Sequence, residues 1–174
     1  MTAQVPPFSE LITQARASAV HLEMRDTYTP HDPEFLAWLD GKPASAVIAT
    51  PGRAQWAALV GEHTARGVAF RRARIVSEPV TDYIRFEHAV TAGLNIAAGE
   101  QVRWLPRRRA SDLCLPGNDF WVFDGRLVRF GHFAGDGEFL DHDLTDDPAV
   151  AGLCAAAFEA VWQRATDHAG YQPA

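Results

Sequence analysis

The stretch RAQWAALVGEHTARGVAFRRARIVS, residues 53–77, constrains the fold more than any other part of the chain. Residues 53–66 read as a helix, and Gly67 stands where a helix end needs a left-handed residue. Val68, Phe70, Ala73, Ile75 and Val76 then set up a strand. A helix that stops on glycine and runs straight into a strand is the grammar of an α/β layer.

The flanking segments fit the same grammar. Residues 8–17 carry Phe8, Leu11, Ile12 and Ala15 on one stripe, which predicts a helix. Residues 19–28 partly alternate through Val20, Leu22 and Met24, which predicts a strand that breaks at Pro30. Asp32 as cap and Pro33 at the first position open a helix over EFLAWLDG, Gly41 stops it, and 42–52 reads as a loop. After Pro79, Thr81 or Asp82 caps a helix that runs to near Gly99, with Gly93 dividing it. Residues 101–107 form a short strand, and 107–118 a polar connection. Asp124-Gly125 between two apolar runs predicts a tight hairpin joining strands 119–123 and 126–133. A brief edge strand is expected at 138–140. Thr145 or Asp146 caps a last helix whose apolar face includes Leu153, Cys154, Ala157, Phe158, Val161 and Trp162. The expected fold is one α/β domain over 8–168, with a central mixed or antiparallel sheet flanked by helices. A flexible arm is expected at 1–7 and a tail at 169–174.

With 174 residues, 47% of them apolar, the chain can bury one proper core. It contains no run of about eighteen apolar residues, and its first residues lack the basic-then-apolar pattern of a secretory signal. A soluble, cytoplasmic protein with no membrane partner is expected. Cys114 and Cys154 form no C-x-x-C and read as small buried hydrophobes. The net charge of -6 is uneven: residues 66–129 hold eleven arginines against seven acids, while 130–174 hold one arginine against eight. The two regions can complement each other within the fold or across a homodimer, or the arginines can attract a small anionic ligand.

Four constellations carry candidate chemistry. On the helix after Pro79, Arg85 and His88 are three apart and share a face, near Asp82 and Glu87. After the strand at 101–107, Arg107, Arg108 and Arg109, together with Arg103 and with Arg71, Arg72 or Arg74, can clamp a phosphate or carboxylate. Asn118 and Asp119 open the hairpin and His132 closes it, with Asp124 structural in the turn. The acidic run GDGEFLDHDLTDD matches neither the calcium loop nor a zinc pattern, so no metal and no cofactor is expected. The chain has no G-x-S-x-G, no phosphate-cradling glycine loop with its lysine, and no dinucleotide glycine pattern. No reading helix for nucleic acid is evident, so direct nucleic-acid binding is not expected.

The run RRARIVSEPVTDYIRFEHAVTAGLNIAAGEQVRWLPRRRASDLCLPGNDFWVFDGRLV, residues 71–128, resembles the DUF6879 family of uncharacterised proteins from Streptomyces and other actinobacteria. The entry FSELITQARASAVHLEMRDTY and the ending LTDDPAVAGLCAAAFEAVWQRATDHAGY resemble it too. The resemblance implies no activity. It implies genes set near helix-turn-helix regulators, and so a regulatory accessory role with such a regulator as partner. The order of strand 68–77, helix, strand 101–105, hairpin 119–133 and helix also resembles the phospholipase-D-like fold. The enzymes of that fold need H-x-K with a downstream aspartate. Here His88 precedes Ala89-Val90, His132 precedes Phe133-Ala134, and the only lysine is Lys42.

Two expectations follow. A non-enzymatic regulatory module works through a protein partner or a small anionic ligand held by Arg85, His88, Asp119, His132, Arg103 and Arg107. The alternative, an enzyme acting on a small phosphorylated substrate, requires Arg85, His88, Asp119 and His132 to converge in one pocket.

Overall fold

A computed structural model describes residues 5–174. Seven strands form one mixed sheet in the order β6-β5-β4-β1-β2-β3-β7. The strands are β1 (Ser18–Glu23), β2 (Ala69–Val76), β3 (Gln101–Pro106), β4 (Asp119–Phe123), β5 (Leu127–Phe133), β6 (Phe139–Thr145) and β7 (Thr166–Asp167). β1, β2 and β3 run parallel, and every other pairing is antiparallel. The helices are α1 (Phe8–Gln14), α2 (Pro33–Leu39), α3 (Ala44–Ile48), α4 (Pro51–Ala65), α5 (Asp82–Thr91) and α6 (Pro148–Arg164).

Alternation along the strands divides the side chains between two layers. One face carries Val20, Leu22, Ala73, Ile75, Leu105, Phe120, Val122 and Val128, and all of these pack with the apolar stripe of α6. The opposite face is covered by the other five helices, and its core is split. One cluster joins Val76, Trp104 and Val102 to α2, α3 and α5. The other joins Phe70, Trp121 and Phe123 to α1 and α4. β2 shows why: on this face it reads Phe70, Arg72, Arg74, Val76, apolar at both ends and charged between.

Local chemistry sets the element ends. Thr81 caps α5 by accepting from the Ile84 amide at 3.2 Å. The cap of α6 is Asp147, which accepts from the Ala149 amide at 2.8 Å, rather than Thr145 or Asp146. Pro148 fills the first helical position, so the cap must be the residue before it. β1 stops at Glu23 because Asp119 takes the Met24 amide and the Tyr28 hydroxyl takes the Arg25 amide, drawing the chain off the sheet. The segment read as a loop over 42–52 contains α3, anchored by the fully buried Val47. Gly93, in the π-helical turn Ala92–Ile96 that extends α5, allows α3 to approach: a Cβ there would stand 2.7 Å from Ile48 Cδ1. β6 is longer than the expected 138–140.

The C-terminal end departs from the sequence reading. Of the arm at 1–7, residues 1–4 lie outside the described residues, while the Pro7 carbonyl accepts from the Glu10 amide at 3.0 Å. The tail at 169–174 is part of the fold. Tyr171 is 5% exposed and stacks on Trp104 with ring centroids 5.4 Å apart, and the Val80 amide donates to the Ala174 carbonyl at 2.8 Å. Cys154 is buried on α6 as expected, but Cys114 is exposed, and both are free thiols. No helix among the described residues is long and apolar enough to cross a membrane.

Candidate functional site

On the face away from α6, strand register builds two polar rows across the sheet. In the first, Arg129 of β5 pairs with Trp121 of β4, Trp121 with His21 of β1, and His21 with Arg72 of β2. In the second, Glu23 of β1 pairs with Arg74 of β2, and Arg74 with Trp104 of β3. The two rows occupy the gap between the two apolar clusters on this face.

The charges in these rows are buried and interlocked. Glu23 bridges the guanidinium groups of Arg72 and Arg74. Arg72 also donates to Glu100 at 2.8 Å, and Asn95 holds the other Glu100 oxygen at 2.6 Å. Arg74 completes its set with Glu87 and with Thr91 at 2.8 Å. Burying such charges is tolerable only with this degree of pairing. Burial works to raise the Glu23 pKa, but Arg72 and Arg74 outweigh it and hold the carboxyl far below the usual carboxylate range. Burial likewise works to lower the Arg72 pKa, and Glu100 and Glu23 reverse it, so the pair stays ionised.

Above the network the helices leave a cleft of ≈ 410 Å³. Phe8, Trp56 and Trp121 form one wall, packed together with centroids 4.7 to 6.0 Å apart. Tyr28 and Tyr83 form the other. His21 stacks on Trp121 at 4.2 Å. Burial, reinforced by Arg72, Arg74 and Arg129 against the opposing pull of Glu23, holds its pKa well below the ordinary value, so the ring is neutral. Its Nδ1 is buried without a hydrogen-bond partner, and so is Nε of Arg129.

A side lobe of ≈ 150 Å³ shares His21, Glu23, Tyr28, Trp121 and Arg129 with the main cleft and continues to Asp119 and His142. Burial raises the Asp119 carboxyl to about 6. Both of its oxygens are committed: Oδ1 accepts from the Met24 amide at 2.8 Å, and Oδ2 accepts from the Tyr28 hydroxyl. Asp119 therefore holds Tyr28 at the cleft wall. Among the described residues, no serine, threonine, cysteine or lysine lines either lobe. The two phenols are held protonated, Tyr28 by burial and Asp119, Tyr83 by burial and Glu87. The arrangement suits recognition by stacking, hydrogen bonding and charge.

Of the six residues singled out in the sequence, only Asp119 reaches this site. Arg85 is exposed on α5, 3.9 Å from Asp82. His88 lies at the other end of the sheet, its ring 4.4 Å from that of His168, and its Nε2–H donates to the Tyr171 carbonyl at 3.3 Å. His132 pairs with Asp143 at 3.0 Å; its neighbour Gly131 lines the side lobe, and strand alternation turns His132 to the opposite face. Arg103 pairs with Asp167 at 2.8 Å and lies over the Trp162 ring. Arg107 is spent on the Ser77 hydroxyl, the Met24 carbonyl and Asp26, where it ties the ends of β1 and β2 together. The convergence of Arg85, His88, Asp119 and His132 does not occur. No group of three or more potential metal ligands occurs among the described residues.

Arg72 and Arg74 entered the sequence reading only as adjuncts of the arginine loop, and His21, Glu23, Trp56 and Trp121 did not enter it at all. A signal was present: V-H-L-E and R-R-A-R-I alternate charge with apolar residues in strands that the fold places at the sheet centre. Charges at such positions must face a second covered layer, and therefore one another.

Among curated proteins, none matches the sequence. The crystal structure of a phospholipase D family member, Nuc from Salmonella typhimurium, superposes with a TM-score of 0.49 at 12% identity, over 91% of this chain and 86% of that one. The archaeal chromatin protein TrmBL2 superposes with a TM-score of 0.50 at 14% identity, a likeness of fold. It covers 91% of this chain, which spans about half (48%) of TrmBL2. A family model described as a domain of unknown function, DUF6879, matches residues 6–173, and the chain belongs to that family.

Proposed function

We propose that this protein is a non-enzymatic regulatory module that binds a small ligand in the cleft between its two helical clusters. One observation carries the reading. The helical layer stays open directly over a buried, ionised network, beside partly exposed Phe8 and Trp56, when closing it would bury more apolar surface. A buried nitrogen in the same cleft, Nε of Arg129, lacks a partner that a ligand would supply. The enzyme alternative loses its support with the separation of its four residues.

The output side of the proposal is a protein contact with a helix-turn-helix regulator. Exposed Phe139 and Leu140 on edge strand β6 and Leu153 on α6 supply apolar surface for such a contact. Copies of this chain are the other candidate for that surface, and light scattering of the pure protein distinguishes the two. The ligand reading is tested by thermal melting of the full chain with a small-molecule extract of its native cells. Binding at a hundredfold excess over Kd raises the melting temperature by roughly 5–10 °C. Trp56→Ala, at the cleft mouth, is expected to abolish the rise. A rise that survives this substitution, or no rise at all, contradicts the assignment to the cleft.

A further inference from the structure

Every guanidinium at the cleft but one is matched by carboxylates. Arg72 has Glu23 and Glu100, Arg74 has Glu23 and Glu87, and Arg53 has Glu34 and Asp32. The Arg129 guanidinium has no ion pair and no hydrogen bond among the described residues; its carbon lies 5.9 Å from the centre of the Phe8 ring. Resting on the reading of the cleft as a ligand site, we propose that Arg129 docks the single anionic group of a planar aromatic ligand whose ring lies against the wall of Phe8, Trp56 and Trp121.

Position and charge support this. Arg129 lines both lobes of the cleft, at their junction. An anionic head in the smaller lobe and a ring in the larger one would meet there. Arg72 and Arg74 are paired with Glu23, Glu87 and Glu100, and none of these carboxylates pairs with the Arg129 guanidinium, which is left to hold an anion of its own. One negative group on the ligand gives Arg129 its partner, and a second would face Glu23 and Glu87, which line the same cleft. Burial also lowers the Arg129 pKa, a cost that a bidentate carboxylate or phosphate offsets. Next to it in the row, beyond Trp121, the Nδ1 of neutral His21 makes no hydrogen bond and faces the Glu23 carboxylate at 3.4 Å.

The test is calorimetric titration of the full chain with two matched pairs: 2-naphthoate against 2-naphthamide, and adenosine 5′-monophosphate against adenosine. Charge is the main difference within each pair. The anion of at least one pair is expected to bind roughly tenfold or more tightly than its neutral twin, the size of a charged hydrogen bond. Preference in the first pair marks a carboxylate ligand and in the second a phosphate. Arg129→Gln is expected to erase the preference while leaving the neutral twin's affinity unchanged. The wild-type comparison requires no variant and stands if Arg129→Gln misfolds. Equal affinity within both pairs, or equal weakening of both twins by Arg129→Gln, overturns the role of Arg129 and leaves the cleft a ligand site. No binding by any of the four overturns the ligand site and the docking role together.

Discussion

Glu23 holds two buried guanidinium groups at once, and nothing else in the fold replaces it between them. Glu23→Gln keeps the shape and removes the charge, leaving Arg72 and Arg74 short of a shared anion. Removing one partner from a buried ionic network costs about 3–5 kcal/mol. Urea denaturation is expected to show a loss of that size for Glu23→Gln. Asp82→Asn, which touches only the exposed 3.9 Å pair with Arg85, is expected to stay within about 0.5 kcal/mol. Equal effects would mean that the network contributes no more than a surface pair. The same contrast explains which site residues were legible. Arg85, His88 and His132 drew attention because they stand among other polar residues in sequence. The functional set is instead spread over α1, β1, α4, β2, α5, β4 and β5, and only strand register and helix docking bring it together.

The elements with strong local codes were readable from their residues. Asp124-Gly125 forms the hairpin, both residues having positive φ (50° and 66°), and the Asp124 carboxylate also accepts the Arg16, Ala17 and Ser18 amides. The helix-glycine-strand run at 53–77 became α4 and β2. Elements that depend on docking were not readable. α3 is five residues long and held by Val47, and the C-terminal segment is held by β3, Trp104 and Val80 rather than by a pattern of its own. That segment has a pH dependence of known sign. Burial, with His88 and Arg74 adding, lowers the His168 pKa from 6.5 to about 4, and the neutral ring accepts the Trp104 indole N–H at 3.2 Å. A base depressed in the folded state contributes stability that is present above its unfolded pKa and is lost as pH falls toward the folded value. Between about pH 6.5 and pH 4, hydrogen exchange at the Val80 amide, which bonds the Ala174 carbonyl, is expected to quicken beyond its intrinsic pH trend. His168→Gln is expected to flatten that response, and an unchanged response in the variant would assign it elsewhere.

At the level of the whole molecule, the mixed sheet with helices on both faces follows from the order of its segments, but the asymmetry between its faces does not. α6 covers one face with a continuous apolar stripe, whereas five helices cover the other in two apolar clusters with a charged gap between them. The gap exists because β1 and β2 lie side by side at the centre with polar residues in register, Glu23 beside Arg74 and His21 beside Arg72. A sequence shows that each strand carries charge on one face. It does not show that the two charged faces coincide, since strand order and register are set by long-range packing. The cleft is a consequence of that coincidence, and its ligand-binding role is the claim on which the functional reading rests. Nitrogen-15 NMR of the five tryptophan indoles tests it most directly, because they divide by environment. On titration with the native small-molecule extract, the Trp56 and Trp121 signals of the cleft wall are expected to shift together, while Trp104 and Trp162, packed in the two cores, stay in place. Shifts confined to Trp104 or Trp162, or no shift at any indole, would contradict a ligand site in the cleft.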